Sequence, residues 1–240
     1  MRFLSLATYP CGMPRHGGQA RLHAIHRQLE AAGWRTRQFA VCPHGVYGEA
    51  AREDGVIEMT AAHVAEIAAR HGRTDVSAAD FLLSDRERYL ERLFDLIEIA
   101  KPDVISLEQA WLWPALKEYF ATFGNRERYA VVYSAHNVET ALLAAEAGLA
   151  GAPALAPAEF AKARAIEEEL AREADGILAV SEADAADFRT LNPRVLFAPN
   201  GVAREAEPAG LDEWTRLLGP HRLALYVGSA HPPNAAGFLE

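Results

Sequence analysis

Four short segments of this sequence bring together residue types that could do chemistry. In His136-Asn137-Val138-Glu139, three polar side chains follow the apolar run YAVVYSA, so a histidine sits where a strand would end and a helix begin. Ligands of open α/β sheets bind outside the carboxyl ends of the strands, which makes His136 a candidate substrate contact. The structural alternative is that Asn137 is only a helix cap and His136 a satisfied loop residue. In a second segment, Glu108-Gln109-Ala110-Trp111 follows DVISL. There Glu108 could accept hydrogen bonds from hydroxyls and Trp111 could pack on a sugar face, although Trp111 and Trp113 both also read as core.

The third segment joins the first apolar run to the first helical stretch: Tyr9-Pro10-Cys11-Gly12-Met13-Pro14-Arg15-His16-Gly17-Gly18-Gln19. Glycines at such a junction let a ligand approach the backbone, and the free N–H groups of a helix start favour a phosphate. A glycine pair there is also compatible with a simple tight turn. The segment is not GxGxxG, no acidic residue follows at the end of the second strand, and no Walker pattern exists, which argues against a dinucleotide or a P-loop. Arg15, His16, Arg21, His23, His26 and Arg27 make this stretch basic in an otherwise acidic chain. An anionic ligand or anionic lipid surface would use that charge, while His23, Arg27 and Glu30 also suit a solvated helix face. The fourth segment, Pro199-Asn200-Gly201-Val202, closes the run RVLFAP with a turn dipeptide.

The elements that must hold these segments are short apolar runs alternating with helical stretches. RFLSLA, RTRQFAVC, DVISL, YAVVYSA, DGILAVS and RVLFAP are near-continuous in hydrophobicity, as strands covered on both faces are. Alternation with helices predicts an α/β fold, a Rossmann-like doubly wound parallel sheet. Helices are expected at Gly17 to Trp34 with Gly33 as its stop, at Arg86 to Ala100, and at Pro157 to Ala174. The Ala-rich stretch from Ala141 to Ala165 also reads as helix. The stretch from Glu49 to Ser84 has no clear period. A strand-like run from Leu223 to Val227 follows a polar link, and one strand with a fragment of helix cannot bury a core.

Composition narrows the function classes. A 240-residue chain with half its residues hydrophobic has the make-up of a globular protein. Its net charge of -9 argues against a nucleic-acid partner. Two cysteines, Cys11 and Cys42, are too few for a disulfide framework and lack zinc spacing, which points to a reducing, cytoplasmic setting. No apolar run is long enough to span a bilayer, which leaves peripheral membrane contact open. The absence of GxSxG, with Ser134 and His136 two apart on one strand end, speaks against a hydrolase elbow.

Taken in order, Gly17-Gly18, the HNxE segment, the run from Ala174 to Ser181, Pro199 to Val202, and Tyr226 to Ser229 with Pro233-Asn234 resemble the family 4 glycosyltransferases, retaining enzymes of GT-B architecture. The resemblance implies an N-terminal Rossmann-like acceptor-side domain over 1–205, and over 206–240 a link and the truncated start of a donor-binding domain. It implies a nucleotide-sugar donor and a sugar or lipid-linked acceptor, with His136 catalytic near the transferred sugar. Gly17 and Gly18 would lie near the donor diphosphate, with Arg15, Glu108, Asn137, Glu139, Asn200 and Gly201 as further substrate contacts. No cofactor and no metal are implied. The resemblance implies that the paired glutamates of the E-x7-E motif and the Arg/Lys that hold the diphosphate lie beyond residue 240, so the chain alone is expected to be poorly active or inactive. A non-catalytic sugar-binding module and a GT-B-like sugar-nucleotide epimerase are the competing readings.

Overall fold

The computed structural model describes residues 1–71, 76–147, 157–201 and 211–219. Seven strands form one parallel sheet: β1 (Arg2–Ala7), β2 (Arg35–Pro43), β3 (Val56–Met59), β4 (Val104–Leu107), β5 (Ala130–Ala135), β6 (Gly176–Ala179) and β7 (Val195–Phe197). Their order across the sheet is β3-β2-β1-β4-β5-β6-β7. The chain winds outward from β1 in one direction, then returns to β4 and winds outward in the other. This reversal opens a crevice at the carboxyl ends of β1 and β4.

The six strands expected from the sequence all form, and β3 is an addition inside the stretch that lacked a period. It is only four residues long and pairs with β2 from Ala40↔Val56 to Pro43↔Met59. The helices are α1 (Gly17–Ala31), α2 (Ala61–His71), α3 (Ala78–Ser84), α4 (Glu91–Ala100), α5 (Trp113–Phe123), α6 (Glu139–Ala147), α7 (Pro157–Glu173), α8 (Glu182–Arg189) and α9 (Leu211–Leu218). A π-turn from Arg86 to Leu90 leads into α4. The expected strand at Leu223 to Val227, and with it the start of a second domain, lies outside the described residues. So does the middle of the Ala-rich stretch.

Local sequence explains these boundaries. Ser77 and Asp80 form a reciprocal capping box at the start of α3. Ser181 caps α8 by accepting from Asp184 N. Pro114 sits in the first turn of α5, where its missing N–H costs nothing. At the far end of α7, buried Asn192 donates to the carbonyls of Ala171 and Ala174, each at 2.8 Å, and so satisfies the helix terminus that precedes β6.

The core lies on both faces of the sheet. Leu4, Leu6, Phe39, Val41, Ile105 and Leu107 are buried, and each fully buried leucine contributes about 1.5–3 kcal/mol relative to exposure. Trp113 belongs to this core and is inaccessible, whereas Trp111 is only partly buried. Trp113 thus takes the core role that the sequence allowed for both.

Cys11 and Cys42 are both free and buried, in separate apolar clusters. Burial pushes each thiol up to about 12, helped by Glu53 and Glu108 for Cys11 and by Glu58 for Cys42. Because the thiolate is the nucleophile, both are expected to resist an aromatic disulfide reagent at pH 8 in the native protein. Both should react at once in guanidinium. Rapid labelling of the native chain would contradict this.

Candidate functional site

The crevice is assembled from three loops. The loop after β1 supplies Tyr9 and runs to the start of α1. The residue after β4 is Glu108, whose N–H donates to Leu6 O at 2.9 Å and so extends the β1–β4 ladder by one step. The residue after β5 is His136. These three residues come from positions far apart in sequence and meet: Tyr9 Oη lies 3.1 Å from His136 Nε2, and Glu108 Oε2 lies 3.6 Å from the same nitrogen.

Each side chain is held from behind. Glu108 is fully buried, and Ser106 Oγ donates to its Oε1 at 2.8 Å. Tyr9 is buried, its backbone carbonyl accepting from Gln38 Nε2 at 2.7 Å. Burial, and next the negative charge of Glu108, push the Tyr9 phenol far above its usual range, so it stays protonated. Buried Gln19 on α1 fixes the loop, donating to Pro10 O at 2.5 Å and accepting from Arg15 N at 2.8 Å.

The helix start completes the site. His16 caps α1 through its Nδ1, which accepts from Gln19 N at 3.4 Å. Burial first, and then the neighbouring His136, push the His16 imidazole down, which suits an acceptor nitrogen. The amides of Gly17 and Gly18 donate to no acceptor among the described residues, leaving the positive end of the helix dipole open. Gly18 packs directly against the pair, since a Cβ built there would stand 3.0 Å from Tyr9 Oη and 3.2 Å from His136 Cε1.

Of the residues nominated from sequence, His136, Glu108 and Gly18 converge here, while Gly17, the exposed first residue of α1, touches none of them. Glu108 faces inward: it is sealed from solvent and meets His136 and Ser106. Arg15 is exposed and pairs with no carboxylate among the described residues. Asn200 and Gly201 follow β7 and share with Gly17 and Arg21 of α1 the lining of a second cavity of about 790 Å³, where Arg21 Nη1 donates to Asn200 Oδ1 and to Ala198 O, both at 2.9 Å. Asn137 is exposed and makes no hydrogen bond to any described residue, so it is not the cap of α6. That task falls to buried Glu167 on α7, which accepts from the backbone amides of Glu139 and Thr140. Glu139 itself is buried in the first turn of α6.

Tyr9 and Glu167 are the site residues that the sequence did not single out. Tyr9 is the second residue past a strand, a position that alone signals proximity to the crevice. Glu167 lies in a run of three glutamates, and nothing in spacing separates the one that turns inward.

Beside the crevice is a cleft of about 430 Å³ with an apolar lining that includes Val41, Met59, Trp111, Leu143 and Ile166. Thr8, which donates to Gln109 Oε1, stands where the cleft meets the β1 loop. One wall is tied by Lys162 of α7, whose Nζ lies 2.7 and 2.9 Å from the two carboxylate oxygens of Asp80 on α3. Burial of Asp80 opposes its ionisation, but the hydrogen bonds from Lys162 and Ser77 outweigh it and hold the carboxyl below its ordinary value. A depressed carboxylate adds stability above its unfolded pKa, near 3.9, and loses it as the pH falls through the lower folded value. Protection of the α3 amides from hydrogen exchange is therefore expected to survive at pH 5 and to drop below about pH 4. Asp80→Asn should already show the lower protection at pH 7.

Comparison with known proteins agrees with this architecture. A search of curated proteins gives no match. Among 22 matching chains of solved structures is sucrose-phosphate synthase from Thermosynechococcus elongatus, with a TM-score of 0.53 and 13% identity. The alignment covers 84% of this chain and 49% of that one, so this chain spans about half the length of the enzyme it matches. At that identity the likeness is one of fold. The family model described as Glycosyltransferase Family 4 matches residues 15–206, from the start of α1 past the end of β7, and the chain belongs to that family.

Proposed function

We propose that this chain forms the acceptor-side half of a glycosyltransferase that moves a sugar from a nucleotide-sugar to a hydroxyl acceptor with retention. The observation that carries the reading is the meeting of the open α1 N-terminus with His136 and Tyr9 at the point where the sheet reverses direction. A helix N-terminus with unengaged amides favours the diphosphate of a donor as negative charge develops on it. His136 then stands where a sugar attached to that diphosphate would lie. The apolar cleft alongside offers room for the acceptor, and its lining favours an acceptor with an apolar portion. Family membership supports transfer to an acceptor; donor class and retention belong to the proposal.

Ligand-observed NMR on the 240-residue chain tests the division of labour. Candidate acceptors are expected to give saturation transfer, with at least a tenfold loss of affinity in His136→Ala, about 1.4 kcal/mol. Free nucleotides should bind weakly. Tight nucleotide binding by this chain, or acceptor binding indifferent to His136, would overturn the assignment. Retention is read from the anomeric proton coupling of the product.

A further inference from the structure

Glu108 has an unequal pair of oxygens. Oε1 accepts from Ser106 Oγ, while Oε2 is buried and has no hydrogen-bond partner among the described residues. Oε2 lies 3.6 Å from His136 Nε2, a few tenths of an ångström beyond hydrogen-bond distance. The same nitrogen faces Tyr9 Oη at 3.1 Å. Two groups therefore compete to decide what Nε2 carries. A tyrosine O–H donating to Nε2 would place the imidazole proton on Nδ1. A carboxylate beside Nε2 attracts an N–H and repels a lone pair, and in a buried pocket a full charge outweighs a phenol dipole. With Nε2 protonated, Tyr9 Oη can accept from it as well.

We propose that Glu108 is a positioning residue that fixes the tautomer of His136, keeping the proton on Nε2 and leaving the Nδ1 lone pair to accept a hydrogen bond from a substrate hydroxyl. Nδ1 makes no hydrogen bond to any described residue, and the imidazole retains 15% of its exposure. The buried carboxylate thus acts on substrate through the ring, as outer carboxylates orient histidines elsewhere. That Nδ1 meets a sugar rests on the function proposed above. The tautomer does not, so its test needs no ligand.

Long-range proton–nitrogen correlation spectra of the imidazole-labelled 240-residue chain would decide it, recorded at about pH 8.5, above the ordinary imidazole value of about 6.5. The wild type is expected to show a pyrrole-type Nε2 and a pyridine-type Nδ1 for His136. In Glu108→Gln, Ser106 still donates to the amide oxygen, so the amide NH2 turns to His136 and the two nitrogen shifts exchange ranges. Tyr9→Phe should leave them as in the wild type. A merely structural role for Glu108 would leave the ring shifts in their ranges as long as the backbone spectrum is unchanged. A pyridine-type Nε2 in the wild type, an unchanged ring in folded Glu108→Gln, or inversion in Tyr9→Phe would each overturn the proposal. If Glu108→Gln does not fold, the wild-type and Tyr9→Phe spectra decide it alone. Absence of sugar binding by a chain with the expected tautomers would count against the functional reading and not against this one.

Discussion

Gly18→Val is expected to lower stability by about 1–3 kcal/mol and to abolish ligand binding at His136, whereas Gly17→Ala should do neither. The two glycines are adjacent, both in the first turn of α1, and the difference lies in what surrounds them. A Cβ at Gly17 would meet nothing within 4 Å. Alanine there even raises helix propensity, by up to about 1 kcal/mol. A Cβ at Gly18 would press on Tyr9 Oη at 3.0 Å and Cζ at 3.1 Å, and on His136 Cε1 at 3.2 Å. Alanine asks the pair to give by a few tenths of an ångström. Valine adds two methyl groups at a place where Tyr9 is buried and tied to His136, so either the ring pair moves or the helix start does. Thermal melts of both variants, with titration of an acceptor that the wild type binds, measure the effect. Equal melting and equal binding in the two variants would show that the approach of α1 to His136 is looser than the geometry requires.

That contrast also marks what the sequence could and could not reveal. The sheet was legible because strands buried on both faces are apolar along most of their length, as in RFLSLA and YAVVYSA. The apolar halves of RTRQFAVC and RVLFAP also mark β2 and β7, even though Arg35 and Arg37 of β2 and Leu196 and Phe197 of β7 are exposed. β3 escaped because a four-residue edge strand, VIEM, has too little pattern to separate from its surroundings. The positions of His136 and of Gly17-Gly18 were readable, since strand ends and helix starts place residues at the crevice whatever the details. Their neighbours were not. Glu108 looks the same in sequence whether it points out to a sugar or in to a histidine, and only the β1–β4 register, which sets its N–H on Leu6 O, settles the direction. Likewise Asn137 has the residue type and position of a helix cap, but the buried carboxylate of Glu167 arrives from α7 and takes the donors first. Contacts between residues distant in sequence decided each of these cases.

Glu167→Ala is the substitution expected to cost most near the site. One buried carboxylate collects four donors: Glu139 N at 2.7 Å, Thr140 N at 3.0 Å, Thr140 Oγ1 at 3.0 Å and Tyr133 Oη at 3.1 Å. It satisfies the first turn of α6 and places negative charge at the positive end of that helix. It also fixes the Tyr133 phenol, whose ionisation is suppressed by burial and then by Glu167 itself. Alanine would leave two backbone amides and a phenol buried without acceptors. At about 1–3 kcal/mol for each unsatisfied group, partly relieved by water or relaxation, a loss of about 2–4 kcal/mol follows. Glutamine keeps the shape but turns an NH2 toward one pair of donors, so it should lose about half as much. The exposed Asn137, by contrast, should tolerate alanine within about 0.5 kcal/mol of stability, since its side chain caps nothing. Because His136 and Asn137 are the only residues besides Val138 between β5 and α6, a frayed α6 would release His136 from Tyr9 and Glu108. Hydrogen exchange at residues 138–142 in Glu167→Ala should therefore rise together with broadening of the His136 ring signals. If the variant melts with the wild type, or if α6 frays while His136 keeps its signals, the carboxylate is not what joins α7 to the site.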